Sequence, residues 1–242
     1  MVHAMKVLSV NVGLPRKIVL DGRPVSTGIY KAPVDGRVKV AKLNLAGDAQ
    51  ADLSVHGGPN KAVYAYPSEH YAYWQRELPG MELPWGEFGE NLTIAGLLED
   101  EALIGDHFRI GTAVLMITQP RLPCYKLGIR FGRGDMPDRF LASRRTGFYL
   151  AVVEEGELGQ GDAIERISRD PNGISVATVV RLHLERDHQD IRLLERALRS
   201  AALPSGWRKR FQRYIEEQQE VGKGQRFPGH ETRQNRSGPH ET

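Results

Sequence analysis

No apolar run in this chain extends far before a glycine or proline interrupts it, with 26 glycines and 14 prolines among 242 residues. Frequent turns between short apolar stretches favour stacked strands over a helical bundle. Leu8, Val10 and Val12 alternate with Ser9 and Asn11, and Val38 and Val40 alternate with Arg37, Lys39 and Ala41. This two-residue period is that of half-buried strands. Further strands are expected over residues 107–110, 114–117 and 148–153, separated by Gly-Asp and Gly-Thr turns. Gly105-Asp106 ahead of one strand is echoed by Gly161-Asp162 ahead of residues 163–167. One helix is expected within this region, capped by Ser68, with Tyr71, Trp74 and Leu78 at core spacing.

The texture changes after Ile167. Residues 1–167 read as a β domain, 168–174 as a linker, 175–218 as a small three-helix domain, and 219–242 as a polar tail expected to be disordered. Ser175, Asp190 and Ser205 are the expected caps of the three helices. Their apolar faces are Val176, Val179 and Val180; then Ile191, Leu194, Leu198 and Ala201; then Trp207, Phe211 and Ile215. A bundle of this size is weakly stable alone. The net charge of +3 resides here, since residues 176–218 carry nine Lys/Arg against six Asp/Glu while the first 175 residues sum to −1. A uniformly basic nucleic-acid surface is therefore not indicated for the main body. No apolar stretch approaches the ~20 residues needed to cross a bilayer, and a cytoplasmic protein without membrane partners is expected.

The single cysteine, Cys124, excludes a disulfide within the chain and any zinc site needing two cysteine ligands. It follows Gln119-Pro120-Arg121-Leu122-Pro123, where two prolines stiffen the backbone. If Arg121 and Lys126 flank the sulfur in space, they favour the thiolate, the form that binds soft metals. The plainer alternative is an inert buried thiol. A second cluster, residues 47–64, sets His56 ahead of Gly57-Gly58 with Lys61 close behind, a loop that can cradle an anion or simply turn. A third, residues 85–93, sets polar side chains, Asn91 among them, beside Gly86 and Gly89, and Thr27 and Lys31 sit near a turn.

Thr27-Gly28-Ile29-Tyr30-Lys31, residues 47–52, Val55-His56-Gly57-Gly58 with Lys61-Ala62-Val63, residues 88–92, and Gln119-Pro120-Arg121 with Pro123-Cys124 together resemble, in order, the motifs of MOSC-domain proteins. The helices that follow resemble the C-terminal three-helix domain of YiiM-type members, so the resemblance covers roughly residues 5–217. It implies a mainly β fold, a MOSC-type β-barrel with a few helices and an appended three-helix domain. It also implies a molybdenum cofactor (molybdopterin) with Cys124 as thiolate ligand to the metal. Thr27, Lys31, His56, Lys61, Asn91 and Arg121 are the cofactor-binding candidates, the cations facing its phosphate, and His56 is the candidate proton donor. The implied activity is reduction of N-hydroxylated compounds such as 6-N-hydroxylaminopurine. Because the chain carries no flavin or dinucleotide motif and too few cysteines for an iron–sulfur cluster, a separate electron-donating reductase is implied; Arg208, Lys209, Arg210 and Arg213 on the basic helices are candidates to dock it, the plainer alternative being a solvated charged face. Two alternatives stand beside this reading: a carrier of persulfide sulfur on Cys124, and a nucleic-acid-binding module.

Overall fold

Strand-forming runs and turns alternate through two thirds of the chain in the computed structural model, which describes residues 4–20, 22–51, 57–185 and 190–224. The first half contains β1 (Lys6–Val12), β2 (Arg16–Leu20), β3 (Arg23–Thr27), β4 (Ala32–Pro33), β5 (Arg37–Ala41), β6 (Asn44–Leu45), β7 (Val63–Pro67), α1 (Glu69–Glu77) and β8 (Leu92–Ala95). A short 3-10 turn over Pro59–Lys61 leads into β7. Then come β9 (His107–Ile110), β10 (Ala113–Pro120), α2 (Tyr125–Phe131), α3 (Met136–Ala142), β11 (Phe148–Glu154), β12 (Gly156–Gly159) and β13 (Ile164–Ser168). Three helices close the described chain: α4 (Val176–Leu184), α5 (Ile191–Arg199) and α6 (Ser205–Gly224).

The main sheet has eight strands in the order β13-β9-β10-β11-β7-β8-β1-β4, antiparallel except for the β7–β8 pair. It is a large mixed sheet and not the closed barrel expected. Its two ends approach along a short seam, where Val7 donates to Asp162 O, Gly161 to Val7 O and Ile164 to Met5 O, each at 2.9 Å. The seam stays short because the free edge of β1 is shared: its far end pairs with β4 at Asn11 and Val12. A second sheet, β12-β5-β6, and the β2–β3 hairpin complete the β structure among the described residues.

Val38 and Val40 point inward from β5 as their alternation requires. In β1 the expected alternation fails. A bulge between Val7 and Ser9 shifts the register, so Val7, Ser9, Val10 and Asn11 are the buried residues. The two polar ones satisfy each other and the next strand, Ser9 donating to Asn11 Oδ1 at 2.8 Å and Asn11 Nδ2 to Thr93 Oγ1 at 3.1 Å. Such pairing removes most of the cost of burying them.

Two apolar clusters form the interior. One is aromatic and lies under α1, α2 and α3, uniting Tyr66, Tyr71, Trp74, Phe88, Phe131 and Phe140, with Trp74 Nε1 donating to Tyr66 Oη at 2.7 Å. The expected core stripe Tyr71, Trp74 and Leu78 is buried in it. The other fills the main sheet and continues without a break into Val176, Val179, Leu194, Ala197, Trp207 and Phe211. The last three helices thus share the sheet's core instead of owning one.

Helix starts follow side-chain chemistry unevenly. Ser175 accepts from Thr178 N at 3.1 Å and Asp190 from Leu193 N at 3.1 Å, as expected of caps. Ser68 occupies its cap position but makes no capping bond, its hydroxyl turning to Glu69 instead. Ser205 is the first residue of α6 and not its cap, since Trp207 N and Arg208 N bond to Pro204 O. That helix runs on to Gly224, past the expected end at Gln218; the remainder of the expected tail lies outside the described residues. No helix among the described residues is long and apolar enough to cross a membrane.

Candidate functional site

A pocket with ≈ 660 Å³ of empty space opens between the base of the β2–β3 hairpin, the turn after β6, the 3-10 turn and the segment from β10 into α2. Thr27, Lys31, Lys61, Asn91, Arg121 and Cys124 all line it. Six of the seven residues singled out from the sequence thus meet in one place. The seventh, His56, lies outside the described residues. Asp48, Tyr64, Lys126 and Tyr149 also line the pocket.

Cys124 stands immediately before α2 in an extended conformation, with φ −130° and ψ 173°, and is half-buried. The Arg121 guanidinium lies close enough to interact with its sulfur. Arg121 is itself buried, above the Tyr64 ring at 4.9 Å and the Phe140 ring at 5.2 Å. Its Nη1 has no hydrogen-bond partner. Burial pushes against its charge, but the surrounding Tyr64 and Tyr149 phenols and the Cys124 sulfur outweigh this and hold it protonated above the usual arginine range. Burial also raises the pKa of both phenols and keeps them neutral. Tyr64 donates to Thr146 O at 2.9 Å, and its ring lies 5.3 Å from that of Tyr149.

A model of the MOSC domain matches residues 52–165. The chain is 44% identical over 205 residues to the uncharacterized protein YflK of Bacillus subtilis (strain 168), covering 85% of this chain and 92% of the relative. It is 35% identical over 196 residues to protein YiiM of Escherichia coli (strain K12), covering 80% and 85%. The chain belongs to the MOSC-domain family. Within that family it is of the YiiM type, for the crystal structure of YiiM from Geobacillus stearothermophilus superposes with a TM-score of 0.72 at 32% identity, over 87% of this chain and 99% of that one. A protein named reductase from Gibberella moniliformis (strain M3125 / FGSC 7600) is 33% identical over 178 residues, which span 72% of this chain but 31% of the larger relative.

Within this MOSC pocket the polar residues divide into two groups. One group is spent on the protein itself. Thr27 Oγ1 accepts from Ile29 N at 3.2 Å and fixes the turn below the hairpin. Asn91 donates to Asp48 Oδ2 at 2.9 Å and accepts from Tyr64 N at 3.1 Å. Asp48 also accepts from Gly13 N at 3.0 Å and forms a buried ion pair with Lys31. Burial pushes the Lys31 ammonium below the usual lysine range, against the pull of Asp48 and Glu90. The Lys31 charge is therefore compensated internally. The other group faces the pocket: Cys124, Arg121, Lys126 and Lys61, the last with its pKa lowered by burial.

Asp48 and Tyr64 stand in the sequence segment that drew attention to His56, but nothing local distinguishes them there. Tyr149 is marked only by its register partner, since β11 sets it opposite Tyr64 on β7.

Proposed function

We propose that this MOSC protein is a molybdenum-cofactor-dependent reductase of N-hydroxylated compounds such as 6-N-hydroxylaminopurine. The observation that carries the reading is the pairing, in one pocket, of the lone half-buried thiol with a buried guanidinium whose Nη1 lacks a partner. An unsatisfied buried donor costs about 1 to 3 kcal/mol, a cost an anionic ligand would remove. The donor set fits the cofactor: Cys124 offers one soft ligand to molybdenum, and Arg121, Lys126 and Lys61 offer cations to its phosphate and pterin oxygens. Among the described residues no group of three His, Cys, Asp or Glu side chains is placed to hold a metal ion, which suits a metal brought in by its own organic ligand. Family membership and the relative named reductase support an enzyme.

When bound, the cofactor supplies the two-electron chemistry. The balanced reaction is R-NH-OH plus two electrons and two protons, giving R-NH2 and water, with the electrons drawn from a separate reductase. The chain's own part is to hold and orient. Tyr64 and Tyr149, kept neutral by burial, line the pocket, and the Lys31–Asp48–Asn91 network braces the backbone of Tyr64.

Cys124→Ser replaces the soft ligand with a hard, poorly ionised one. In protein produced with cofactor synthesis intact, the variant should fold normally while molybdenum content and hydroxylaminopurine reduction collapse together. Near-normal turnover per folded molecule would overturn the ligand assignment. Labile sulfur on Cys124 in protein free of molybdenum would favour the persulfide carrier instead.

A further inference from the structure

Beside the thiol pocket lies a second, larger one with ≈ 920 Å³ of empty space, bounded by the 3-10 turn on one side and the start of α6 on the other. Lys61 and Leu122 line both pockets, so the two adjoin. The second has a built wall. Trp207 Nε1 donates to Gln119 Oε1 at 3.0 Å, and Gln119 Nε2 donates to Asn60 O at 3.1 Å, tying α6 to β10 and to the 3-10 turn. Trp207, buried by this arrangement, carries Arg210 over its ring at 5.0 Å. Arg210 is half-buried and forms no ion pair among the described residues, so a guanidinium lines the pocket uncompensated. Asn60 and Ser205 add polar lining.

We infer that the second pocket holds the sugar and phosphate of the substrate, with Arg210 as the phosphate-binding residue, so that N-hydroxylated purine nucleotides are preferred over the free bases that the thiol pocket also accepts. The inference rests on the reductase reading and narrows its substrate class. A planar base enters the thiol pocket beside the cofactor, the ribose passes Leu122, and the phosphate meets Arg210 in a charge-assisted contact. The reaction remains cleavage of the N–O bond by two electrons from the separate reductase and two protons. For a 6-hydroxylaminopurine nucleotide the products are adenosine 5′-monophosphate and water.

That product is itself the probe. Titration calorimetry of the full-length, cofactor-loaded protein should find adenosine 5′-monophosphate bound about tenfold or more tighter than adenosine, the worth of one charge-assisted bond to phosphate. Arg210→Gln should abolish that preference while leaving adenosine binding and thermal stability unchanged, and Arg210→Lys should restore part of it. In turnover, the nucleotide-to-base ratio of kcat/KM should fall about tenfold in Arg210→Gln, by the same contact. Equal affinity for nucleotide and nucleoside in the parent, or undiminished nucleotide preference in Arg210→Gln, overturns the inference. Loss of pterin and molybdenum from Arg210→Gln overturns it too, by assigning the cation to the cofactor's phosphate. Failure of the reductase reading is seen separately, as retained turnover in Cys124→Ser.

Discussion

Arg121 is a cation buried among aromatic rings with one nitrogen unbonded, an arrangement that serves a ligand better than it serves folding. Replacing it with methionine removes the unpaired donor, a relief of about 1 to 3 kcal/mol offset by the lost ring contacts. Arg121→Met should therefore leave the cofactor-free protein as stable as the parent or more so, while cofactor retention falls tenfold or more. Thermal unfolding of the cofactor-free form alongside pterin fluorescence of the loaded form checks this, and a large loss of stability would make Arg121 a scaffold residue. Glu90 poses a related question of pH. Its carboxyl is fully buried, with Oε2 unpartnered and Oε1 accepting from Gly86 N at 2.9 Å, Thr93 Oγ1 at 2.9 Å and Tyr71. Burial raises its pKa above the usual 4.5 despite these bonds. The folded state thus holds its proton to higher pH than the unfolded chain, and stability is lost as pH rises from about 4.5 through the folded value. Glu90→Gln should stabilise the protein at pH 8 and give little gain at pH 4.5, read from urea midpoints at both. Legibility at this scale followed chemical rarity. Cys124 stood out as the only thiol, directly behind two prolines, whereas Asn91 looked like a ligand group and is bonded to Asp48 and Tyr64, a commitment visible only in three dimensions.

Elements were easiest to read where one face is uniform. The strand at His107–Ile110 is found where its apolar run and flanking turns put it, and β5 buries alternate valines. β1 defeated the same reasoning because its bulge and its inward polar pair belong to contacts with β8. α2 and α3 gave no clear period: each is seven residues long, and α2 carries Gly128 within it. The caps supply a direct test. Ser175→Ala removes a bond to Thr178 N and should cost about 1 kcal/mol, whereas Ser68→Ala removes no capping bond and should fall within ~0.5 kcal/mol of the parent, as for ordinary surface changes. Urea denaturation of the two variants side by side decides; equal losses would contradict the assigned cap geometry.

At the scale of the molecule, the break in texture after Ile167 suggested a separate helical domain, yet the core runs through it. Val176, Val179, Trp207 and Phe211 are buried against the sheet's own residues, because a three-helix bundle this small gains more by covering a sheet than by standing alone. A chain ending at Arg169 should consequently fail to fold, with poor solubility and no cooperative thermal transition. A soluble, cooperatively unfolding fragment would restore the two-domain view. The seam between residues 5–7 and 161–164 carries a further consequence, for the order of events during synthesis. The first strand emerges from the ribosome long before its partner on that edge, and the thiol pocket draws residues from Thr27 through Tyr149. Pairing of such distant segments is slow and exposes sheet edges meanwhile. On the proposed reading, loading is then a late step, performed once these distant segments have met, and the empty form has to stay intact until that point.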